Sequence, residues 1–353
     1  MRWLYGIALL VVGSAVAIEA QYGAFSQPRQ SAGQPPPQGL PFKILSYNVK
    51  GTPWPPLSDR APDLKVIAGY LRDERLRGTE PPVVVLQEAF MPEAKAIGRD
   101  SGYRYAAFGP GAADGSSEQP TPSDLSFVAQ SSFWSGETMG KHFDSGLALF
   151  SDYPILWVKR VAFPDFACAG WDCLANKGAL AVALQVPNIT KPVVIVTTHL
   201  NSRESTGVPY SRSDYAFVRQ VDVLDKFLAS LDTQGGPLLL AGDFNVGKDL
   251  SRGTKFNRLI ADNDLSVLAA EHDCGLGCRR AIIAGEEPEV RLAAAKTMIL
   301  YRDQGLLVPS LFSTFGREPN GTMLSDHIGL SVRFDMASLR PPQRRRPSES
   351  LTA

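Results

Sequence analysis

Pro237-Leu238-Leu239-Leu240-Ala241-Gly242-Asp243-Phe244-Asn245 is the stretch on which the reading of this chain turns. Three leucines, bounded by Gly-Gly-Pro before and Gly242 after, have the length and composition of a short buried strand. Its C-terminal end presents an acid and an amide, Asp243 and Asn245. In extended backbone, residues two apart share a face, so both polar groups look into one space. A carboxylate there can hold a water, a proton or a metal, and the amide can donate to a phosphoryl oxygen. Asp and Asn are also ordinary turn formers. The stretch becomes informative only through other strands that finish the same way.

Four do. The run 41–49 (PFKILSYNV) carries Asn48 before the breakers Gly51, Pro53, Pro55 and Pro56. Val83-Val84-Val85-Leu86 ends on Gln87-Glu88, and 193–200 (VVIVTTHL) ends on His199 and Asn201. Asp326-His327 opens a last strand running to Phe334. Further strands are expected near 103–108, 145–150, 155–163, 177–186 and 297–301. Helical spacing of Leu64, Ile67, Ala68 and Leu71 predicts a surface helix over 59–77. A second is expected over 92–99. Phe217, Val221, Leu224, Leu228 and Leu231 stripe a third over 213–231, and a fourth covers 254–263. With strands outnumbering helices and neighbours mostly hairpin-linked, a mixed domain with antiparallel sheet is expected rather than a doubly wound fold. The segment 109–145 is rich in Gly, Ser and Pro yet carries Phe127, Phe133, Trp134 and Phe143. It is expected to be a long irregular loop, its rings either tucked onto the body or turned to something apolar or flat.

The ends of the chain read differently. Arg2 ahead of an apolar run to Ala17, with small residues at Ala17 and Ala20, has the pattern of a secretory signal peptide over 1–20. Its apolar stretch is short for a membrane span. A Gln/Pro/Gly/Ser-rich, disordered lead-in is expected over 21–40. The folded domain is expected over 41–335 and a Pro/Arg-rich tail over 336–353. Two close cysteine pairs, Cys168 with Cys173 and Cys274 with Cys278, suit local disulfides in an oxidising compartment, secreted or periplasmic. Pairing across them stays open. Zinc would need all four to converge, at spacings that are not those of a zinc ribbon. Lys plus Arg and Asp plus Glu are both 36, so no net charge marks the chain as a dedicated nucleic-acid binder.

Set at one rim of a sheet, the five strand ends supply two imidazoles, three carboxylates (Glu88, Asp243, Asp326) and three amides (Asn48, Asn201, Asn245). Hydrolysis of a phosphate ester needs such a set. Carboxylates hold a hard divalent cation, imidazoles move protons, and amides grip non-bridging oxygens. The ordered motifs Ser46-Tyr47-Asn48, Leu86-Gln87-Glu88, Thr198-His199-Leu200, Gly242-Asp243-Phe244-Asn245 and Ser325-Asp326-His327 resemble the endonuclease/exonuclease/phosphatase (DNase I-like) superfamily from about residue 42 to 334. The resemblance implies an α+β fold, two packed and mainly antiparallel β-sheets flanked by helices in a four-layer α/β/β/α sandwich. It implies Glu88 as the principal Mg²⁺ ligand, with Asn48 and Asp326 near the metal and Mn or Co as possible substitutes. Asp243 and Asn245 then attend the water and phosphate, with His327 as base and His199 as acid.

Two further stretches are similar to secreted bacterial sphingomyelinases. These are 146–155 and Asp172-Cys173-Leu174-Ala175-Asn176-Lys177-Gly178, which with Asn201 would place Asp172 and Lys177 at the substrate. The implied activity is an exported Mg²⁺-dependent phosphodiesterase acting on sphingomyelin or a related phospholipid at a membrane surface. The alternatives are a secreted endonuclease with nucleic acid as substrate, or a non-catalytic binding module. No protein partner is inferred. One departure stands out: where many members have an Asp orienting the base histidine, this chain has Thr297. Asp303 or a larger part for Asp243 are the possible compensations.

Overall fold

The computed structural model describes residues 41–53, 59–270, 296–302, 304–318 and 320–336. The signal-peptide, lead-in and tail segments, the Cys274/Cys278 pair and Asp303 lie outside the described residues. Among those residues, five α-helices accompany two six-stranded sheets.

The first sheet is built from β1 (Phe42–Asn48), β2 (Val83–Gln87), β3 (Tyr105–Phe108), β4 (Ala148–Ser151), β11 (Leu307–Phe315) and β12 (Gly329–Met336). Its order is β11-β12-β1-β2-β4-β3. The second contains β5 (Ile155–Ala162), β6 (Gly178–Leu184), β7 (Val193–His199), β8 (Leu238–Asp243), β9 (Ser266–Ala270) and β10 (Thr297–Arg302), in the order β5-β6-β7-β8-β10-β9. Each sheet has one parallel pair at its centre, β1 with β2 and β7 with β8, and is otherwise antiparallel. A parallel pair needs a crossover. Helix α1 (Ala61–Arg77) supplies the first, and α4 (Tyr210–Ala229) the second. The strand ends carrying Asn48 and Glu88, and those carrying His199 and Asp243, therefore fall side by side.

Period-two alternation splits each central strand between two cores. Phe42, Ile44, Val83 and Val85 face Leu180, Val182, Ile195, Leu239 and Ile299 between the sheets. Leu45, Tyr47, Val84 and Leu86 face outward onto Leu64, Ile67 and Leu71 of α1 and onto Ile97 of α2 (Pro92–Asp100). In the second sheet Ala179, Ala181, Val194, Val196, Leu238 and Leu240 face Phe217, Val221 and Leu224 of α4 and Phe256 of α5 (Leu250–Asp262). Helix, sheet, sheet, helix is the expected four-layer arrangement. At Gly242 any side chain would collide with Thr198, whose carbonyl oxygen lies 2.2 Å from where a Cβ would sit. The glycine keeps β7 and β8 close at the end that matters.

The segment 109–145 is more ordered than its composition indicates. Thr121 caps helix α3 (Pro122–Val128) in a reciprocal box with Asp124, and Pro122 occupies the first turn. Phe127 and Phe143 are buried, whereas Phe133 and Trp134 are exposed. Edge strands β9 and β11 were not expected. Pro309 and a bulge near it mark β11 as an edge element.

Candidate active site at the strand ends

Asp243 is the hub. Its Oδ2 accepts from the Asn48 amide at 3.0 Å and stands 3.6 Å from Nε2 of His327 and 3.8 Å from Nε2 of His199. Its Oδ1 accepts the backbone N–H of Asn245 at 3.1 Å. The same Asn48 amide nitrogen donates to Glu88 Oε1 at 2.8 Å, so one NH₂ group bridges two carboxylates from different sheets. Asn48, 195 positions away in the chain, thus meets Asp243 alongside both histidines.

Three site residues hold backbone angles that L-residues seldom adopt: Lys50 (φ 52°), Glu88 (φ 55°) and Asn245 (φ 49°). Each lies just past a strand end. The left-handed turn swings the chain out of the ladder, and such strain collects where surrounding structure enforces it.

The two histidines differ in what stands behind them. His327 is half-buried, with Nδ1 3.4 Å from the Thr297 hydroxyl. Thr297 lies opposite Asp243 in the β8–β10 register. The hydroxyl therefore occupies the place an orienting carboxylate was expected to fill. His199 is buried. Its Nε2 is 3.5 Å from the Lys177 ammonium and its Nδ1 has no partner. Burial foremost, then the Lys177 charge, pushes its pKa down to about 3. His199 is accordingly neutral at ordinary pH.

Lys177 is buried, donating to Asp172 Oδ2 at 2.8 Å and to the Leu200 carbonyl at 3.1 Å. Asp172 also accepts Ser202 N–H at 2.7 Å. The pair thus stands beside His199, one of the groups that converge on Asp243. A disulfide between Cys168 and Cys173 closes the short loop that presents Asp172.

The other site residues expected from the sequence have the following surroundings. Asn201 was expected at the substrate, but its amide donates to Ser202 O and accepts from Ala169 N–H, and it is fully buried. It braces a loop. Asn245 commits an amide hydrogen to Leu200 O at 2.9 Å and supports Asp243 through its backbone. Asp326 was expected near a metal. It is ion-paired with Lys50 at 2.9 Å; partial desolvation raises its carboxyl pKa, but the Lys50 hydrogen bond and charge, with the His327 charge, outweigh that and hold it below the usual range. Asn48 turns nitrogen, not oxygen, to the carboxylates, because its Oδ1 accepts Lys50 N–H at 3.0 Å. Lys50 escaped sequence reading because nothing local distinguishes it from a solvated loop lysine.

The donors that remain fit a divalent cation. Ligand atoms of Glu88, His199 and Asp243 lie within 4.8 Å of one another. Burial, opposed by the Asn48 hydrogen bond and reinforced by the Asp243 charge, raises the Glu88 pKa. Paired, crowded carboxylates are what a cation relieves. One imidazole among oxygen donors suits Mn²⁺ or Co²⁺ as well as Mg²⁺.

With this architecture and this convergence in hand, comparison with known proteins places the chain. It belongs to the Endonuclease/Exonuclease/phosphatase family, whose model matches residues 45–328. No curated protein sequence matches it. Its fold is similar to that of sphingomyelinase C from Streptomyces griseocarneus (TM-score 0.54, 23% identity, covering 84% of this chain and 100% of that one). It is also similar to a mutant beta toxin from Staphylococcus aureus with bound magnesium ions (0.55, 16%, 83% and 99%). The human Nocturnin catalytic domain, with a bound sulfate anion, is similar too (0.51, 18%, 88% and 98%). At these identities the likeness establishes the fold alone.

Proposed function

We propose that this protein is an exported, divalent-metal-dependent phosphodiesterase whose substrate is sphingomyelin or a related phospholipid. The carrying observation is that His327, His199 and the Asn48–Glu88 pair all converge on the carboxylate of Asp243. Glu88 and Asp243, with His199 beside them, would hold a divalent cation, which when bound would supply charge neutralisation and polarise the phosphoryl group. His327, backed by Thr297, takes the proton of the attacking water as its oxygen bonds to phosphorus and the ester P–O bond breaks. His199 and the Lys177 ammonium face the charge that builds on the phosphoryl oxygens, and the departing alkoxide takes its proton from that ammonium, which solvent then restores.

Two features support the lipid over nucleic acid. Zero net charge gives no polyanion footprint. Phe133, Trp134 and Trp171 are exposed, and Trp171 directly precedes Asp172. Aromatic rings of this kind favour a membrane–water interface. Export is supported by the signal-like N-terminus and the Cys168–Cys173 disulfide. No described helix is long and apolar enough to cross a membrane. The test is parallel assay of the purified protein on sphingomyelin vesicles, phosphatidylcholine vesicles and DNA, each with Mg²⁺ or EDTA. EDTA-sensitive release of a phosphorylated headgroup is expected, and cleavage of DNA alone would reverse the assignment to an endonuclease.

A further inference from the structure

Two buried arginines, neither part of any motif above, hold the loops that present the site. Arg252, fully buried at the start of α5, donates through Nη1 to the carbonyls of Asn201 and Asn245, both at 2.8 Å. Those residues stand two places after His199 and Asp243. Its Nε pairs with Asp214 of α4 at 2.6 Å, and its guanidinium lies over the Phe217 ring, 4.5 Å from the centroid. Arg60, also buried and just ahead of α1, does the same in the other sheet. Its Nη2 donates to Val49 O at 3.0 Å and Leu324 O at 2.6 Å, its Nε donates to Lys50 O at 3.2 Å, and Nη1 pairs with Asp63. Val49 and Lys50 follow Asn48 directly, and Leu324 precedes Ser325-Asp326-His327.

Carbonyls just past a strand end have left the ladder, and when buried they must find donors elsewhere. A guanidinium offers five in a rigid fork, enough to tie two chain segments at once, and an ammonium cannot copy that geometry. We propose that Arg60 and Arg252 are paired positioning residues, one per sheet. Arg252 sets His199 against Asp243, and Arg60 sets Asn48 against His327. Neither touches the reacting atoms. Their effect on turnover rests on the phosphodiesterase reading, but their effect on the loops does not.

The test is hydrogen–deuterium exchange read by mass spectrometry on the full chain and on Arg252→Met, Arg252→Lys and Arg60→Met, with turnover of a phosphodiester measured on the same samples. In both Arg252 variants, exchange is expected to rise at least tenfold at 199–202 and 244–247 while the interiors of β7 and β8 stay protected. In Arg60→Met the rise falls at 49–51 and 324–327. Lysine behaves like methionine because the fork, not the charge, is what counts. Turnover number falls roughly ten- to a hundredfold with KM changed less than threefold. Exchange unchanged at those loops, protection lost evenly across the domain, or full restoration by lysine would each overturn the proposal. A wild-type chain inactive on every phosphodiester, yet showing these local exchange changes in its variants, would sink the phosphodiesterase reading and leave the clamps standing.

Discussion

His327 and His199 stand almost equally far from one carboxylate oxygen, 3.6 and 3.8 Å, yet they are chemically unlike. One is half-buried with a hydroxyl behind it, while the other is buried with an ammonium beside it. Distance to Asp243 alone would have made them interchangeable. On the proposed reading their surroundings divide the work, as happens wherever two like titratable groups occupy unlike environments. The hydroxyl side is suited to moving a proton, and the ammonium side to steadying charge.

The largest expected effect breaks that division directly. His327→Ala should lower turnover by roughly a hundred- to ten-thousandfold. His199→Gln, which keeps an amide donor in place of a neutral imidazole, should cost about tenfold. Steady-state kinetics on one phosphodiester compares the two, and equal losses would erase the distinction. Next in size, Lys177→Met removes the cation beside His199 and should slow turnover by about ten- to a hundredfold, with the fold retained by circular dichroism.

A smaller effect separates the histidines without any substrate. His199 has its folded pKa pushed down to about 3, below an unfolded value of roughly 6.5. The unfolded chain therefore binds the extra proton first, and stability is lost as pH falls from 6.5 toward 3. The slope is about 1.4 kcal/mol per pH unit. Denaturant melts of the wild type and His199→Gln at pH 7 and pH 5 isolate this contribution, because other groups cancel in the difference. The variant should show the shallower decline, and parallel curves would mean His199 is not held neutral. Smallest of all, Cys168→Ser with Cys173→Ser frees the loop carrying Asp172. It should raise KM a few-fold while leaving the turnover number within about threefold, because Lys177 keeps its bond to Leu200.

The strand ends were legible because each couples an apolar run to a polar terminus, a pattern that survives without tertiary knowledge. Asn48, Glu88, His199, Asp243 and His327 could be set together from that alone, whereas the replacement at Thr297 came from the family resemblance. What the polar groups do once assembled was not legible. Asn201 and Asn245 read as outward-facing amides, but burial turned them to backbone carbonyls that had lost their ladder partners. Asp326 read as a metal neighbour until folding brought Lys50 beside it. Arg60 and Arg252 look in the sequence like any charged residue near a helix start. Only packing reveals that both are buried. The α3 cap was visible as Thr121-Pro122-Ser123-Asp124, but the surrounding Gly and Ser residues outweighed it.

The most direct measurement is hydrolysis of a chromogenic phosphodiester by wild type and Asp243→Asn, each with Mg²⁺ and with EDTA. Wild type should turn over only with the metal, and the variant, its folded structure intact, should be slower by at least a hundredfold. Undiminished activity in the variant, or in wild type after chelation, would contradict a site built around that carboxylate.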